Sequence, residues 1–327
     1  MTIQLTIIGL GQIGASLGLA LSGQTNKLTR TGHDFSPLKA RQVKEMGAVD
    51  KIENNLHAAV EKADVVILAV PVDEIRTTLE KISPALQPGV VVLDTSTIKN
   101  AVSDWAVDLL PEDRHFVSFM PTLNPAYLLE TSSGSDAAHN DLFKNGLVLV
   151  DCPPDTESDA IKLASDLASL LGAKAMFIDR FESDGLSAFT HQAPGLLAAA
   201  FINAQLDQPG WTEGRKVAGK TFAVVTEPLM HLEEDTMLGK AAIMNRENVV
   251  RVINNVITAL IELRDAVAAK DEAALTGLLK RARDGREQWW QQRQSGDWDR
   301  AVTKVEMPTG GDVMARFFGF RRKKKEK

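Results

Sequence analysis

Six residues near the start of the chain restrict its fold more than any other feature. Gly9-Leu10-Gly11-Gln12-Ile13-Gly14 follows the apolar run Leu5-Thr6-Ile7-Ile8 and leads into the apolar stretch Ala15–Leu21. Glycines at this spacing, between a strand-like and a helix-like segment, describe a tight strand–turn–helix. The first permits the turn, the second lets another molecule approach the backbone, and the third lets the helix pack closely on the strand. The helix that opens here aims free N–H groups and the positive end of its dipole at the turn, which suits a diphosphate. A second run, Leu28–Gly32, ends at His33-Asp34, twenty residues after Gly14. An acid there accepts hydrogen bonds from ribose hydroxyls and repels a 2′-phosphate. The pattern predicts a dinucleotide site built on Gly9, Gly11, Gln12, Ile13, Gly14 and Asp34, with NAD preferred to NADP.

The rest of the first half repeats the alternation of short β-like runs with helix-period segments, the signature of a parallel sheet wound by helices. Strands are expected at Ile3–Gly9, Leu28–Asp34, Val65–Val70, Val90–Asp94, Phe116–Phe119, Leu147–Val150 and Ala175–Ile178. Leu38–Met46, Asp73–Ile82 and Ser158–Leu171 read as amphipathic helices between them. Unbroken apolar runs such as Val65–Val70 imply strands covered on both faces. From Asp184 onward the pattern is helical only, as in Val249–Ala268 and Glu272–Arg283. The fold class is therefore α/β, an N-terminal Rossmann-type parallel sheet followed by a C-terminal all-helical domain. The expected divisions are 1–180, 181–305 and a tail at 306–327. A chain of 327 residues suits two domains, since single cores lose efficiency beyond about 250 residues.

Charge narrows the partners. The last fourteen residues hold seven Lys/Arg and one Glu, which leaves a body with 30 Lys/Arg against 42 Asp/Glu. An acidic body argues against nucleic acid. The tail joins Phe317, Phe318 and Phe320 to Arg321-Arg322-Lys323-Lys324-Lys325, a sequence suited either to anionic lipid head groups or to a solvated end. A single cysteine, Cys152, excludes an internal disulfide and points to a reducing cytoplasm. Met1–Asn26 carries no charged residue, and so lacks the basic start of a signal peptide. Gly185–Leu206 holds His191, Gln192 and Asn203, which favour a buried helix over a membrane span.

Two further strand ends should face the glycine turn, because ligands bind outside the carboxyl ends of such strands. One is Val70-Pro71. The other is Asp94-Thr95-Ser96-Thr97-Ile98-Lys99, where Ser96 and Thr97 suit a ligand contact or a plain helix N-cap equally well.

With these elements in place the sequence resembles the prephenate and arogenate dehydrogenase family of tyrosine biosynthesis, over residues 1 to about 300. The resemblance rests on Gly9–Leu17, Asp94–Lys99, Asp141-Leu142-Phe143, Gly195–Ala200 and Asn245-Arg246-Glu247-Asn248, continuing through Leu260–Leu263 and Asp271–Leu279 to Arg286 and Trp289. It implies hydride transfer from a ring alcohol to NAD(P)+, with loss of the ring carboxylate as CO2. It also implies a substrate cleft between the domains, a homodimer through the helical domain, and no metal. Four family positions differ. Met120 stands where the family carries its proton-accepting histidine, and a thioether cannot act as a base. Gln192 and Gly195 stand where two further family histidines fall, and Phe222 best matches the carboxylate-binding arginine. His191, in the uncharged stretch that the family packs against the nicotinamide, is the expected replacement base. Thr97 and His191 are expected to orient the substrate hydroxyl, Lys99 to neutralise a carboxylate, and Thr122, Asn124 and Gln192 to contact substrate. Val70, Pro71 and Ser96 complete the expected cofactor set. A dehydrogenase on another hydroxy acid or imine, and a non-catalytic NAD-binding protein, remain the alternatives.

Overall fold

Eight strands line up in the order β3-β2-β1-β4-β5-β6-β7-β8 in the computed structural model, which describes residues 2–24, 26–231 and 235–296. They are β1 (Ile3–Ile8), β2 (Leu28–His33), β3 (Lys51–Ile52), β4 (Val65–Leu68), β5 (Val91–Asp94), β6 (His115–Pro121), β7 (Leu147–Asp151) and β8 (Lys174–Phe177). The helices of this half are α1 (Gln12–Ala20), α2 (Pro37–Glu45), α3 (Leu56–Val60), α4 (Val72–Ile82), α5 (Asn100–Leu109) and α6 (Ser158–Leu170). After α7 (Arg180–Ser187) come α8 (Ala193–Leu206), α9 (Trp211–Val217), α10 (Lys220–Thr226), α11 (Asp235–Met244), α12 (Arg246–Ala268) and α13 (Glu272–Ser295). No strand follows Phe177 among the described residues.

The apolar runs are explained by what covers them. Leu5, Ile7, Val65, Ile67, Val91, Leu93 and Phe119 face one side of the sheet with Leu17 and Leu167. Ile8, Val66, Leu68, Val92 and Phe116 face the other side with Ile75, Leu79 and Val102. Successive strand residues point to opposite faces, so a sheet buried on both faces draws mostly apolar residues at every position.

Two details depart from the sequence reading. Lys51–Ile52 adds a two-residue edge strand beside β2, too short and too polar to register as a run. The sheet is also not wholly parallel, since β7 runs antiparallel to β6. No α-helix links these two strands. Their connection holds only the short turns Pro125–Tyr127 and Gly134–Ala137, and a parallel return needs a crossover, usually a helix.

The described residues up to 280 form one compact unit, and those from 281 to 296 belong to a second. In the second, the Arg286 guanidinium lies 4.6 Å from the ring centre of Trp289 and 5.0 Å from that of Trp290. The basic tail lies outside the described residues. Among the described residues no helix is long and apolar enough to cross a membrane.

Candidate active site

The sheet order changes direction between β1 and β4, and their carboxyl ends open a crevice there. The three glycines of the turn do different jobs in it. Gly9 has φ +90°, and a Cβ on it would lie 2.4 Å from the Ala69 carbonyl oxygen. A Cβ on Gly14 would lie 1.9 Å from the Gly9 carbonyl oxygen, so this glycine lets α1 seat against the turn. Gly11 is unlike both. A Cβ there would meet nothing within 4 Å, yet the residue lines two adjoining cavities of about 410 and 430 Å³. The protein itself does not need a glycine at this position, so the space it leaves serves whatever binds. Gly11 precedes the first turn of α1, whose leading N–H groups have no partner within the helix. These residues fit a dinucleotide diphosphate.

The two cavities share Gly11, Ala69, Val70, Pro71 and Met237, and so form one groove. Its 430 Å³ lobe lies beside Asp34, Phe35, Ser36 and Lys39. Asp34 Oδ2 accepts from the Leu10 N–H at 2.9 Å and Oδ1 from the Ser36 N–H at 2.8 Å. Both oxygens are thereby fixed in direction and keep lone pairs for ribose hydroxyls.

The 410 Å³ lobe gathers Gln12, Ile13, Ser96, Thr97, His191 and Gln192. Gln12 Nε2 donates to the Ala137 carbonyl, 3.1 Å away. Ser96 is tied to its own loop through Asp94 and the Ile98 carbonyl. The Thr97 hydroxyl makes no hydrogen bond among the described residues. His191 and Gln192 reach the same wall because residues Ala188–Gln192 form a single wide π-turn between α7 and α8, closed by the Ala193 N–H on the Ala188 carbonyl. Such one-turn widenings gather at functional sites. His191 is exposed to the groove, but the walls around it displace enough water to push its imidazole below the ordinary histidine range. The ring is neutral at pH 7 and able to take a proton.

Behind this wall lies a buried polar network. Lys99 Nζ sits 2.8 Å from Asp94 Oδ2 and 3.1 Å from the Asp94 carbonyl, with Lys99 only 1% exposed. Asp184 accepts from the backbone N–H groups of Lys99 and Asn100 and from the Asn100 side chain. Asn245 donates to the Asp184 carbonyl at 2.7 Å and to Gln192 Oε1 at 3.2 Å, and Asn248 donates to Asn245. The Asn245–Asn248 segment thus joins the start of α12 to the wide turn and to α7, whose Asp184 side chain meets the start of α5.

Three expectations need correction. Lys99 is not a free cation for a substrate carboxylate, because Asp94 has claimed its charge inside the core. Thr122 and Asn124 do not reach the groove. Thr122 Oγ1 accepts from the Leu147 N–H, closing the β6–β7 connection, and Asn124 bonds Ala126 and Asp141 within its loop. Nor does Ser96 or Thr97 cap α5; Asp184 does so from a distant helix. Of the replaced family positions, Met120 is buried with Leu149 and Ile178, and the Ser187 hydroxyl lies 3.9 Å from its sulfur. Gly195 is filled against by Leu238, 2.7 Å from where a Cβ would stand. Phe222 packs with Phe201 and Trp211. Sequence reasoning missed Met237 in the groove, and it missed Asp184, whose two backbone partners lie more than eighty residues earlier. A third cavity, of about 350 Å³, lies at the opposite ends of the strands, lined by Ile3, Leu28 and Val65, and shares no residue with the groove.

Known proteins agree with this geometry. The nucleotide-binding domain of prephenate dehydrogenase, as a family, matches residues 17–177. The cyclohexadienyl dehydrogenase of Zymomonas mobilis is 26% identical, over 86% of this chain and 94% of that one. The prephenate dehydrogenase of Bacillus subtilis is 23% identical, over 86% of this chain and 74% of its own. The structure of the A. aeolicus prephenate dehydrogenase, determined with hydroxyphenyl propionate and NAD+, superposes with a TM-score of 0.76 at 20% identity, over 88% of this chain and 98% of that one. Residues 17–177 are thus similar to the nucleotide-binding domain of the prephenate dehydrogenase family, and this sheet, the glycine turn and these relatives support an NAD-dependent dehydrogenase of that type.

Proposed function

We propose that the protein oxidises the ring alcohol of a prephenate- or arogenate-like acid, with His191 as the proton acceptor. The observation that carries this is the position of a neutral His191 beside the unengaged Thr97 hydroxyl, in the lobe next to the glycine turn. Bound NAD+ supplies the hydride acceptor. Gly9, Gly11, Gln12, Ile13 and Gly14 form the turn that takes its diphosphate, Asp34 takes the ribose, and Val70, Pro71 and Ser96 line the groove. Thr97 holds the substrate hydroxyl, and its proton passes to His191 as the carbinol carbon gives up a hydride. The ring carboxylate then leaves as CO2. Its bonding pair moves through the ring to the former hydroxyl oxygen, which takes a proton back. Gln192 borders the ring. The test is steady-state NADH formation with prephenate and with arogenate, on the wild type and on His191→Ala.

A second reading has its own support. Met120, Gln192, Gly195 and Phe222 have replaced three histidines and the carboxylate-binding arginine that the family resemblance implies, and Lys99 is committed to Asp94. A lysine would pair less well than a bidentate guanidinium in any case. This favours slow prephenate turnover and a ring hydroxy acid with a different side chain. A competition screen of ring acids against prephenate separates the two readings.

The division of labour we propose gives the cofactor to residues 1–180, and substrate contacts and a second copy of the chain to 181–305. Val250, Ile257, Leu260 and Ile261 stand exposed along α12 and suit a homodimer. Light scattering on Ile257→Asp against wild type tests it, with a monomer expected from the variant. A cytoplasmic place in tyrosine biosynthesis follows from the same reading.

A further inference from the structure

Thr190 stands next to His191 on the wide turn, and its hydroxyl makes two short contacts with one hydrogen to share. Oγ1 lies 2.8 Å from the Leu186 carbonyl oxygen and 2.8 Å from His191 Nδ1. A carbonyl oxygen cannot donate. The hydroxyl hydrogen therefore goes to Leu186, and Oγ1 meets His191 as an acceptor, so Nδ1 carries the ring proton. We infer that Thr190 is a positioning residue that holds His191 in its Nδ1–H tautomer and leaves Nε2 bare to receive the substrate proton.

Three features of the site strengthen the assignment. The opposite tautomer would force the Thr190 hydrogen away from Leu186 and strand that contact. Crowding by the groove walls disfavours a second proton on the ring, so the choice is between the two neutral forms. Nε2 itself makes no hydrogen bond among the described residues. A histidine side chain free in water prefers the Nε2–H form, which cannot accept a proton at that atom. Without Thr190 the ring would populate mostly the incompetent form, and the rate would fall with the fraction that remains competent. The proton-accepting role of the bare nitrogen rests on the reading of His191 as base; the tautomer does not.

The experiment is a two-bond proton–nitrogen correlation spectrum of the full chain labelled with 15N-histidine, near neutral pH. The six histidines are few enough to resolve, and His191 is identified by its loss in His191→Ala. We expect the Nδ1–H pattern for His191 in the wild type, a change toward Nε2–H in Thr190→Val, and recovery of the first pattern in Thr190→Ser. Turnover should follow in parallel, with kcat several-fold lower in Thr190→Val, little change in KM for NAD+, and recovery in Thr190→Ser. An Nε2–H pattern in the wild type overturns the assignment, as does an unchanged Nδ1–H pattern in Thr190→Val. The expected spectra together with full turnover by His191→Ala would instead overturn the base and leave the tautomer assignment in place.

Discussion

The Asp184 carboxylate lies 2.6 Å from the backbone nitrogen of Lys99, so a residue of α7 caps the start of α5 across the domain. Its other oxygen takes both the backbone and the side-chain N–H of Asn100, at 3.1 and 2.8 Å. A helix start buried without an acceptor strands its leading N–H groups. Asp184→Ala should therefore lower the unfolding free energy by on the order of 3 kcal/mol, since hydrogen bonds to a charged group are lost and their donors stay buried. Asp184→Asn should cost less, because one amide oxygen remains to accept. Urea denaturation of the three proteins checks the order. Equal midpoints for wild type and Asp184→Ala would show that the cap carries no stability.

The glycine turn permits a cleaner separation of fold from binding. Gly11→Ala should change stability by less than about 0.5 kcal/mol, because its Cβ meets nothing, yet weaken NAD+ binding at least about tenfold. Gly9→Ala should do the reverse first. Its φ of +90° strains any other residue by about 1–3 kcal/mol before the contact with Ala69 is counted. Calorimetric titration with NAD+, beside thermal unfolding, distinguishes the two. A Gly11→Ala variant that binds NAD+ as well as wild type would remove the diphosphate from this position.

These contrasts mark where the sequence is legible and where it is not. The turn could be read directly, because Gly9, Gly11, Gly14 and Asp34 act within 25 residues of one another and each role follows from local backbone geometry. The strands could be read because burial on both faces leaves unbroken apolar runs. Lys99 could not. A cation at a strand end looks the same whether it faces a ligand or folds back onto Asp94, five positions earlier, and only the path of the chain decides. Thr122 misled for a related reason, since its hydroxyl is consumed by a strand connection that carries no helical period. His191 was visible as a residue type, but its place on the groove wall depends on one widened turn, for which the residues carry no spacing signal. Asp184 and Asn245 matter through partners far away in the chain, and no local pattern reports such pairs.

Cofactor choice should depend on Asp34. The wild type should bind NAD+ at least about tenfold more tightly than NADP+, because a carboxylate already fixed by Leu10 and Ser36 repels a 2′-phosphate at close range. Asp34→Ala should narrow that gap from both sides, losing NAD+ affinity and gaining NADP+ affinity, with Lys39 lining the same lobe. It should also cost about 1–2 kcal/mol of stability, since two backbone N–H groups lose their acceptor. Titrations of the protein's tryptophan fluorescence with NAD+ and with NADP+ give the ratio. Equal affinities in the wild type would refute the role given to Asp34.

Acid pH should switch the enzyme off through His191. The ring must be neutral to accept a proton, and its pKa lies below the ordinary value of 6.5 because water is displaced around it. Above that lowered pKa the base is fully available; as pH falls through it, the ring takes up a proton and activity is lost. With the best ring-acid substrate, the acid limb of kcat/KM should have its midpoint below 6.5. A histidine of ordinary pKa would already be half protonated at about 6.5. His191→Ala should lower kcat by about a hundredfold to ten-thousandfold, the usual contribution of a placed base, and should remove the acid limb. The same substitution should leave the affinity for NAD+ nearly unchanged, because Asp34, the ribose contact proposed, lies in the other lobe of the groove. An acid limb at or above pH 6.5, or one that survives in His191→Ala, would assign the proton to another group. Fast turnover by that variant would also move the base away from His191.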